Sequence, residues 1–207
     1  WSFATMGAIE AHWKRLGLGT WDLSEKNLVT CHGFEWHFSE KGGNFHIAFA
    51  YLNRRDGPIT ESQDPYTTLD DNSLCVTSYQ PDAFVDEIRY IPSDPATIKQ
   101  TLLNFGAVAS LMAYGSGGSE SPYFNAEDNT FWYSGTAPTD HGILIVGWDD
   151  NKVITRGTRR NSVSTTGAWI VKNSWGSDWG DNGYFYVAYE DTRILTENVI
   201  FPTRSKY

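Results

Sequence analysis

The sequence predicts an α+β protein of two lobes, with a mainly helical lobe over residues 1–105 and a mainly β lobe over residues 106–207. Apolar residues recur at helical spacing through the first half, whereas short apolar runs bounded by glycine and polar turns fill the second half. A chain of 207 residues is long enough to bury a sizeable core. The C-terminal tail either stays with the β lobe or crosses back, and a cleft between the lobes is the expected ligand site.

The first predicted helix covers residues 1–16 and is expected to be central to the fold. An apolar stripe runs along one face, small alanines form a second stripe, and Gly17 provides the C-terminal stop. The combination is typical of a helix buried on more than one side. The two stripes consist of Phe3, Met6, Ile9, Trp13 and Leu16, and of Ala4, Ala8 and Ala11.

Three further helices are predicted before the composition changes. A short second helix begins after Ser24, which can cap its N-terminus. A third helix occupies about residues 45–57, and a fourth occupies residues 94–106. Asp94 and Pro95 supply a cap and a first-turn proline for the fourth helix.

Strands dominate from residue 107 onward. Two loops interrupt them, a Gly/Ser-rich loop at 115–122 and a loop at 156–167 that carries Arg156, Arg159 and Arg160. The second loop is predicted to be an exposed and flexible excursion. The predicted strands are 107–114, 142–149, 168–173 and 184–190.

Composition and charge exclude two classes of function. The net charge is −9, and Lys and Arg form no run longer than a pair such as Arg159-Arg160, which argues against a nucleic-acid surface. No apolar run reaches the length of a transmembrane helix.

The most informative stretch is residues 167–185, a buried strand that runs into a turn rich in tryptophan and glycine. Asn173 stands at the end of the strand, and Trp175 and Trp179 follow it between glycines. Indole rings fixed in such a turn can shield a neighbouring amide from water. Asn173 is therefore a candidate for orienting a histidine.

His141 is the histidine in a matching context. It stands at the start of the apolar run that ends at Gly147-Trp148, so it is expected at the mouth of a buried strand. The following Gly142 leaves its imidazole open on one side. His141 and Asn173 can meet if their two strands are neighbours. A structural histidine and an ordinary turn asparagine remain the alternative interpretation.

The two segments resemble the histidine and asparagine motifs of the papain family of cysteine peptidases. In that family a His-Ala/Gly strand start runs to Val-Gly-Trp/Tyr, and a later block reads Lys-Asn-Ser-Trp-Gly-x-x-Trp-Gly-x-x-Gly-Tyr. Residues 1–4 are similar to the start of the family's central helix, residues 23–31 to its Leu-Ser-Glu helix, and Gly42-Gly43-Asn44 to its cleft glycines. The resemblance covers nearly the whole chain and implies a papain-like fold with the active cleft between a helical and an antiparallel β lobe.

The resemblance also implies roles for individual residues. The family's thiol nucleophile is expected immediately before Trp1, and its oxyanion-hole glutamine is expected further upstream. His141 then acts as general base and acid, and Asn173 holds its ring. Trp1, Trp175 and Trp179 support the active site. No cofactor and no metal are implied.

The substrate cleft is expected to take residues from both lobes. Gly42 and Gly43 form either the turn that precedes a helix or a bare backbone edge that pairs with an extended peptide, and the resemblance favours the second. Phe45 and Leu111 suggest an apolar pocket, which predicts a bulky apolar side chain two residues before the cut. The full set of cleft candidates is Gly42, Gly43, Asn44, Phe45, Leu111, Asp140 and Gly142.

The two cysteines are either unrelated buried thiols or a disulfide. The resemblance implies a Cys31–Cys75 bridge, and therefore an oxidising compartment and a secreted, extracytoplasmic or cell-surface location. Cys31, His32, His37 and His46 can also be written as zinc ligands, although their spacings fit no structural zinc pattern. Partly exposed loop histidines are the plainer interpretation.

Two functions from different classes follow. The first is a papain-like cysteine endopeptidase of a bacterial or archaeal type, which acts on peptides or proteins and has an inhibitory pro-segment as a candidate partner. The second is an inactive papain-like module that binds peptide or glycan in the same cleft. The residue before Trp1 distinguishes them, because only a cysteine there supplies the nucleophile.

Overall fold

The computed structural model describes residues 1–35, 42–67, 69, 73–115, 121–158 and 161–202. It divides into two compact units, Trp1–Ile91 with Val199–Tyr207, and Pro92–Asn198. The sequence placed the division near residue 105. In the structure the second unit begins at Pro92 and therefore includes the fourth helix. None of the helices among the described residues combines the length and hydropathy that crossing a bilayer requires.

The first unit contains helices α1 (Ser2–Arg15), α2 (Glu25–Cys31) and α3 (Phe45–Asn53) and the short strand β1 (Arg89–Ile91). Met6, Ile9 and Trp13 of α1 are fully buried, as the predicted stripe requires. Phe3 and Leu16, at the two ends of that stripe, are 37% and 52% exposed and do not belong to the core. At 3.6 residues per turn Phe3 lies about 60° or more around the helix from the buried positions, and Leu16 is the C-cap residue that follows the end of α1 at Arg15.

Local chemistry sets the bounds of these helices. Gly17 has φ +72°, its N–H donates to Lys14 O, and the next N–H donates to Trp13 O, which is a Schellman ending for α1. Ser24 Oγ accepts the Asn27 N–H at 3.0 Å and caps α2. The predicted caps are therefore present where the sequence placed them.

The second unit contains helix α4 (Pro95–Phe105) and most of the sheet. Asp94 caps α4 by accepting the Thr97 N–H at 2.8 Å. Six strands of this unit are hydrogen-bonded in the order β2-β5-β6-β7-β4-β3, antiparallel except for the parallel pair of β4 and β7. They are β2 (Val108–Met112), β3 (Phe124–Asn125), β4 (Thr130–Phe131), β5 (His141–Thr158), β6 (Asn161–Lys172) and β7 (Tyr184–Ala188). The last strand, β8 (Asn198–Ile200), neighbours β1. The α+β prediction is confirmed.

The prediction of a loop at 156–167 is wrong, because the described residues of this segment belong to two paired strands. Strands β5 and β6 continue through it as one hairpin, with Thr155 opposite Ser164 and Arg156 opposite Val163. β-branched residues are frequent on both sides of this segment, at Val153-Ile154-Thr155 and at Val163 and Thr165-Thr166, and such side chains favour a pleated strand over a loop. Arg159 and Arg160, and most of the predicted loop at 115–122, lie outside the described residues.

A disulfide joins Cys31, at the end of α2, to Cys75 in the irregular segment that follows α3. The bridge implied by the resemblance is thus present, and Cys31 is not available to zinc. Among the described residues no group of His, Cys, Asp and Glu side chains could hold a metal ion. His37, one of the zinc candidates, lies outside them.

The double variant Cys31→Ala/Cys75→Ala is expected to lose about 4 kcal/mol of unfolding free energy. The bridge closes a loop with a sequence separation of 44, and removing it returns chain entropy to the unfolded state. Urea unfolding of oxidised wild type, reduced wild type and the variant measures the effect. Reduced wild type should match the variant; equal midpoints for all three would contradict a stabilising role.

Candidate active site

His141 is the first residue of β5 and lies between two neighbouring strands. It is paired with Met112 of β2, and Gly142 is paired with Leu111. On its other side, β5 pairs with β6, whose last residue Lys172 is opposite Leu144. The sequence expectation of a histidine at the mouth of a buried strand agrees with this placement.

A change of register between β5 and β6 decides where Asn173 points. Trp148 pairs with Trp169 and Gly147 with Ile170, but after an irregularity Ile145 pairs with Val171 and Leu144 with Lys172. Continued by one pair, the second register sets Asn173 opposite Ile143, on the same face as His141. The first register would set it opposite Leu144, on the other face, because side chains alternate along a strand.

The side chains of His141 and Asn173 form a hydrogen bond of 2.9 Å between Nε2 and Oδ1. The same Oδ1 accepts the Ser174 backbone N–H at 2.8 Å, which identifies this atom as the amide oxygen. An oxygen that only accepts requires the histidine to donate. Nε2 therefore carries a hydrogen, and Nδ1 is the ring nitrogen left to exchange a proton.

Tryptophans from the following turn cover this pair. The Trp175 ring lies 5.0 Å from the imidazole of His141, tilted by 32°, and Trp179 meets Trp175 edge-on at 4.9 Å. Gly180 has φ +62°, and a Cβ there would lie 2.5 Å from Tyr184 O. The turn therefore requires glycine to hold the indoles in place.

Tyr114, which the sequence did not indicate as a site residue, also lies beside His141. Its buried ring lies 4.9 Å from Trp175 and 5.7 Å from His141, edge-on in both cases, and stacks on Phe131. Desolvation raises the pKa of its hydroxyl. An aromatic residue just beyond a strand that pairs with the histidine strand was the available signal, but only the register shows that it faces His141.

Burial also acts on the imidazole itself. Desolvation is the largest effect and lowers the pKa of His141, while the hydrogen bond to Asn173 raises it. Asn173 is only 8% exposed, and its backbone N–H donates to Gly183 O at 2.9 Å. The amide is thus fixed by the turn, and the ring is fixed by the amide.

Two predicted cleft residues of the second unit have different surroundings. Asp140 accepts the N–H groups of Tyr114 and Gly115 with its two carboxylate oxygens, at 2.7 and 3.0 Å. These two hydrogen bonds hold the start of the segment that follows β2 in place. Leu111 is half-buried.

Among the predicted cleft residues of the first unit, Gly43 is in contact with Trp1. The indole of Trp1 lies against Gly43, where an added Cβ would come within 2.0 Å of Trp1 Cε2. Asn44 caps α3 by accepting the Ile47 N–H at 3.0 Å, and Gly42 has φ +60°. Phe45 is 0% exposed, so its ring belongs to the core and does not line an accessible pocket as predicted. Phe45 is the first residue of α3 and lies on its buried face with Ala48 and Leu52.

The chain has clear similarity to known proteins. A family model described as papain family cysteine protease matches residues 1–203. A cathepsin L-like peptidase of Aedes aegypti is 32% identical over 205 residues, which cover 91% of this chain and 52% of that protein. Cysteine proteinase 2 of Dictyostelium discoideum is 32% identical over 225 residues, covering 91% and 56%. The chain thus spans about half the length of the curated relatives it matches.

A solved structure is similar over the whole chain. It contains the cysteine protease and lectin-like domains of Cwp84, a surface layer associated protein of Clostridium difficile. The TM-score is 0.85 at 30% identity, covering 100% of this chain and 47% of that one.

The pKa of His141 in the 207-residue chain is expected below the ordinary value of about 6.5, because desolvation disfavours the imidazolium. Asn173→Ala should lower it further, since the lost hydrogen bond favours the charged ring. Asn173→Asp should raise it by adding a negative charge. Titration of the ring nitrogens by NMR measures all three. A pKa that is the same in Asn173→Ala and wild type would contradict the assigned contact.

Gly43→Ala is expected to lower the free energy of unfolding by about 1–3 kcal/mol, because its methyl group overlaps the Trp1 indole. Gly147→Ala is the control, since its Cβ would meet only ordinary contacts starting at 3.5 Å. Chemical unfolding followed by tryptophan fluorescence measures both. Equal stabilities of the two variants would contradict the close packing at Gly43.

Proposed function

Because the chain belongs to the papain family of cysteine proteases, we propose that the protein containing it is an endopeptidase that cuts peptide bonds with a thiol nucleophile. The nucleophile is the cysteine expected immediately before Trp1. His141 is its general base and acid, and Asn173 orients the ring. The observation that carries the proposal is the 2.9 Å hydrogen bond from His141 Nε2 to Asn173 Oδ1.

The tautomer of His141 assigns the proton transfers. Nε2 keeps its hydrogen for Asn173, so Nδ1 takes the proton of the thiol. The thiolate attacks the peptide carbonyl carbon, and the C–N bond breaks as Nδ1–H returns the proton to the leaving amine. Water then gives one proton to Nδ1 while its OH group adds to the carbonyl carbon of the thioester. The C–S bond breaks, the acid leaves, and the sulfur takes the proton back from Nδ1.

Asn173 and Trp175 act through the imidazole. A thiolate paired with imidazolium can have a pKa of about 3–4, so the catalytic state contains a charged ring. The amide oxygen of Asn173 stabilises that charge, and the ring of Trp175 keeps water from competing for the contact. Asn173 is therefore a positioning residue, whereas His141 is the catalytic one.

The proposal includes partners and a location. The substrate is a peptide or protein, and an inhibitory pro-segment restrains the enzyme before activation. Two relatives support the pro-segment: one of Felis catus is named procathepsin L, and one Cwp84 structure is described as following propeptide cleavage. The Cys31–Cys75 disulfide favours an oxidising, extracytoplasmic site of action.

Variants of the complete protein test the roles. His141→Ala removes both proton transfers and should lower kcat/KM on a fluorogenic peptide by at least about a thousandfold. Asn173→Ala should lower it by about ten- to a hundredfold, the range of a hydrogen bond to a charged group. His46→Ala, an exposed histidine of the first unit, is the control with unchanged activity.

The outcomes separate the two candidate functions. A kcat/KM of His141→Ala equal to that of wild type would contradict the role of His141 as general base and acid. A wild-type protein that binds peptide without cutting it would establish the inactive binding module instead.

A further inference from the structure

A groove in the second unit lies beyond the aromatic residues of the site. Its volume is about 530 Å³, and its walls come from the segment that contains β3 and β4 and from the outer part of β5. Tyr123, Phe124, Asn125, Glu127, Trp132 and Arg156 are the lining residues that matter here. None of them was singled out as a site residue by the sequence.

Ring contacts connect the groove to His141. Phe124 stacks on Trp179 at 4.8 Å, Trp179 contacts Trp175 at 4.9 Å, and Trp175 contacts His141 at 5.0 Å. An extended peptide advances about 3.3 Å per residue, so about four residues or fewer separate His141 from Phe124. A substrate that passes the imidazole can therefore reach the groove.

Arg156 provides a fixed positive charge in the groove. Its guanidinium lies over the Trp132 ring at 4.1 Å, and Nη1 donates to Ser134 Oγ at 2.6 Å. Among the described residues no carboxylate is within ion-pair distance of it. The buried carboxylate of Asp191 interacts with its charge at longer range, but already accepts three backbone N–H groups. A stacked guanidinium keeps further donors for a carboxylate and is held in place before one arrives.

The other walls suit a peptide better than a polyanion. β3, the last strand of the sheet as described, is only two residues long and its Phe124 N–H already donates to Ser121 O, so recognition in the groove depends on side chains. The exposed ring of Tyr123 offers an apolar surface. Glu127 places a negative charge in the same groove, which disfavours a ligand that is anionic throughout.

The direction of the chain follows from the chemistry. His141 protonates the leaving amine, so the part of the substrate after the cut begins at His141, on the surface of the second unit. We propose that the groove binds this part of a protein substrate and that Arg156 holds an Asp or Glu side chain about five to eight residues beyond the cut. The proposal rests on the proposed function and names its substrate class.

Cleavage of matched peptides by the complete protein tests it. Two long peptides share every residue except one at the sixth position after the cut, which is Glu or Gln. A short peptide ends two residues after the cut. Wild type should show about tenfold higher kcat/KM on the Glu peptide than on the Gln peptide, the advantage of one charge-assisted hydrogen bond. Moving the Glu through positions five to eight locates the optimum.

Three variants assign that ratio to Arg156. Arg156→Met keeps the cover over Trp132 and should bring the ratio to about one, while Arg156→Glu should invert it. Lys152→Met is the matched control, because Lys152 stacks on Tyr186 from the same strand but does not line the groove. It should keep the wild-type ratio. Thermal unfolding of each variant checks that it is folded.

The outcomes are distinct for each part of the argument. If wild type cuts none of the three peptides, the proposed function is wrong. A short peptide that is cut, together with equal rates on the Glu and Gln peptides, overturns the groove proposal alone. Equal rates combined with inhibition by dextran sulfate that disappears in Arg156→Met would show a polyanion site instead, and would also overturn it.

Discussion

The site depends on one hydrogen bond between an imidazole and an amide that come from neighbouring strands. His141 must donate through Nε2 and Asn173 must accept through Oδ1, and the Ser174 N–H fixes which end of the amide is the acceptor. That contact determines the tautomer of the histidine and leaves Nδ1 for chemistry. Every proposed proton transfer follows from it.

The hydrogen bond in turn depends on the shift of register between Ile145 and Gly147. A displacement of one residue moves a side chain to the opposite face of a sheet, so an uninterrupted pairing would turn Asn173 away from His141. β-Bulges are frequent beside active sites because they redirect a side chain at this small scale. Here the long pairing of β5 with β6 holds the two strands in place, and the irregularity within it turns the side chain of Asn173 to the face that carries His141.

The aromatic residues around the pair extend its influence along the sheet. Trp175 and Tyr114 limit the access of water to the imidazole, and Trp179 and Phe124 continue the contacts toward the groove at Arg156. These rings belong to different strands and turns, and edge-on and stacked contacts hold them at about 5 Å from one another. The rings that shield the histidine from water thus also form the surface between His141 and the proposed substrate groove.

The sequence by itself determined the α+β class and the helix caps at Ser24 and Asp94, because apolar periodicity and capping chemistry are local properties. It named His141 and Asn173 as candidates, on the condition that their two strands are neighbours. It did not foresee that β5 and β6 remain paired over most of 156–167, where arginines, serines and glycines suggested a loop in spite of several β-branched residues. It also assigned the buried Phe45 to an accessible pocket and did not indicate the approach of Tyr114 to the site. Only the tertiary structure decided these features, together with the face on which Asn173 lies and the groove at Arg156. The physical reason is that register and burial depend on which strands and helices become neighbours, and a residue's own type and near sequence do not specify that.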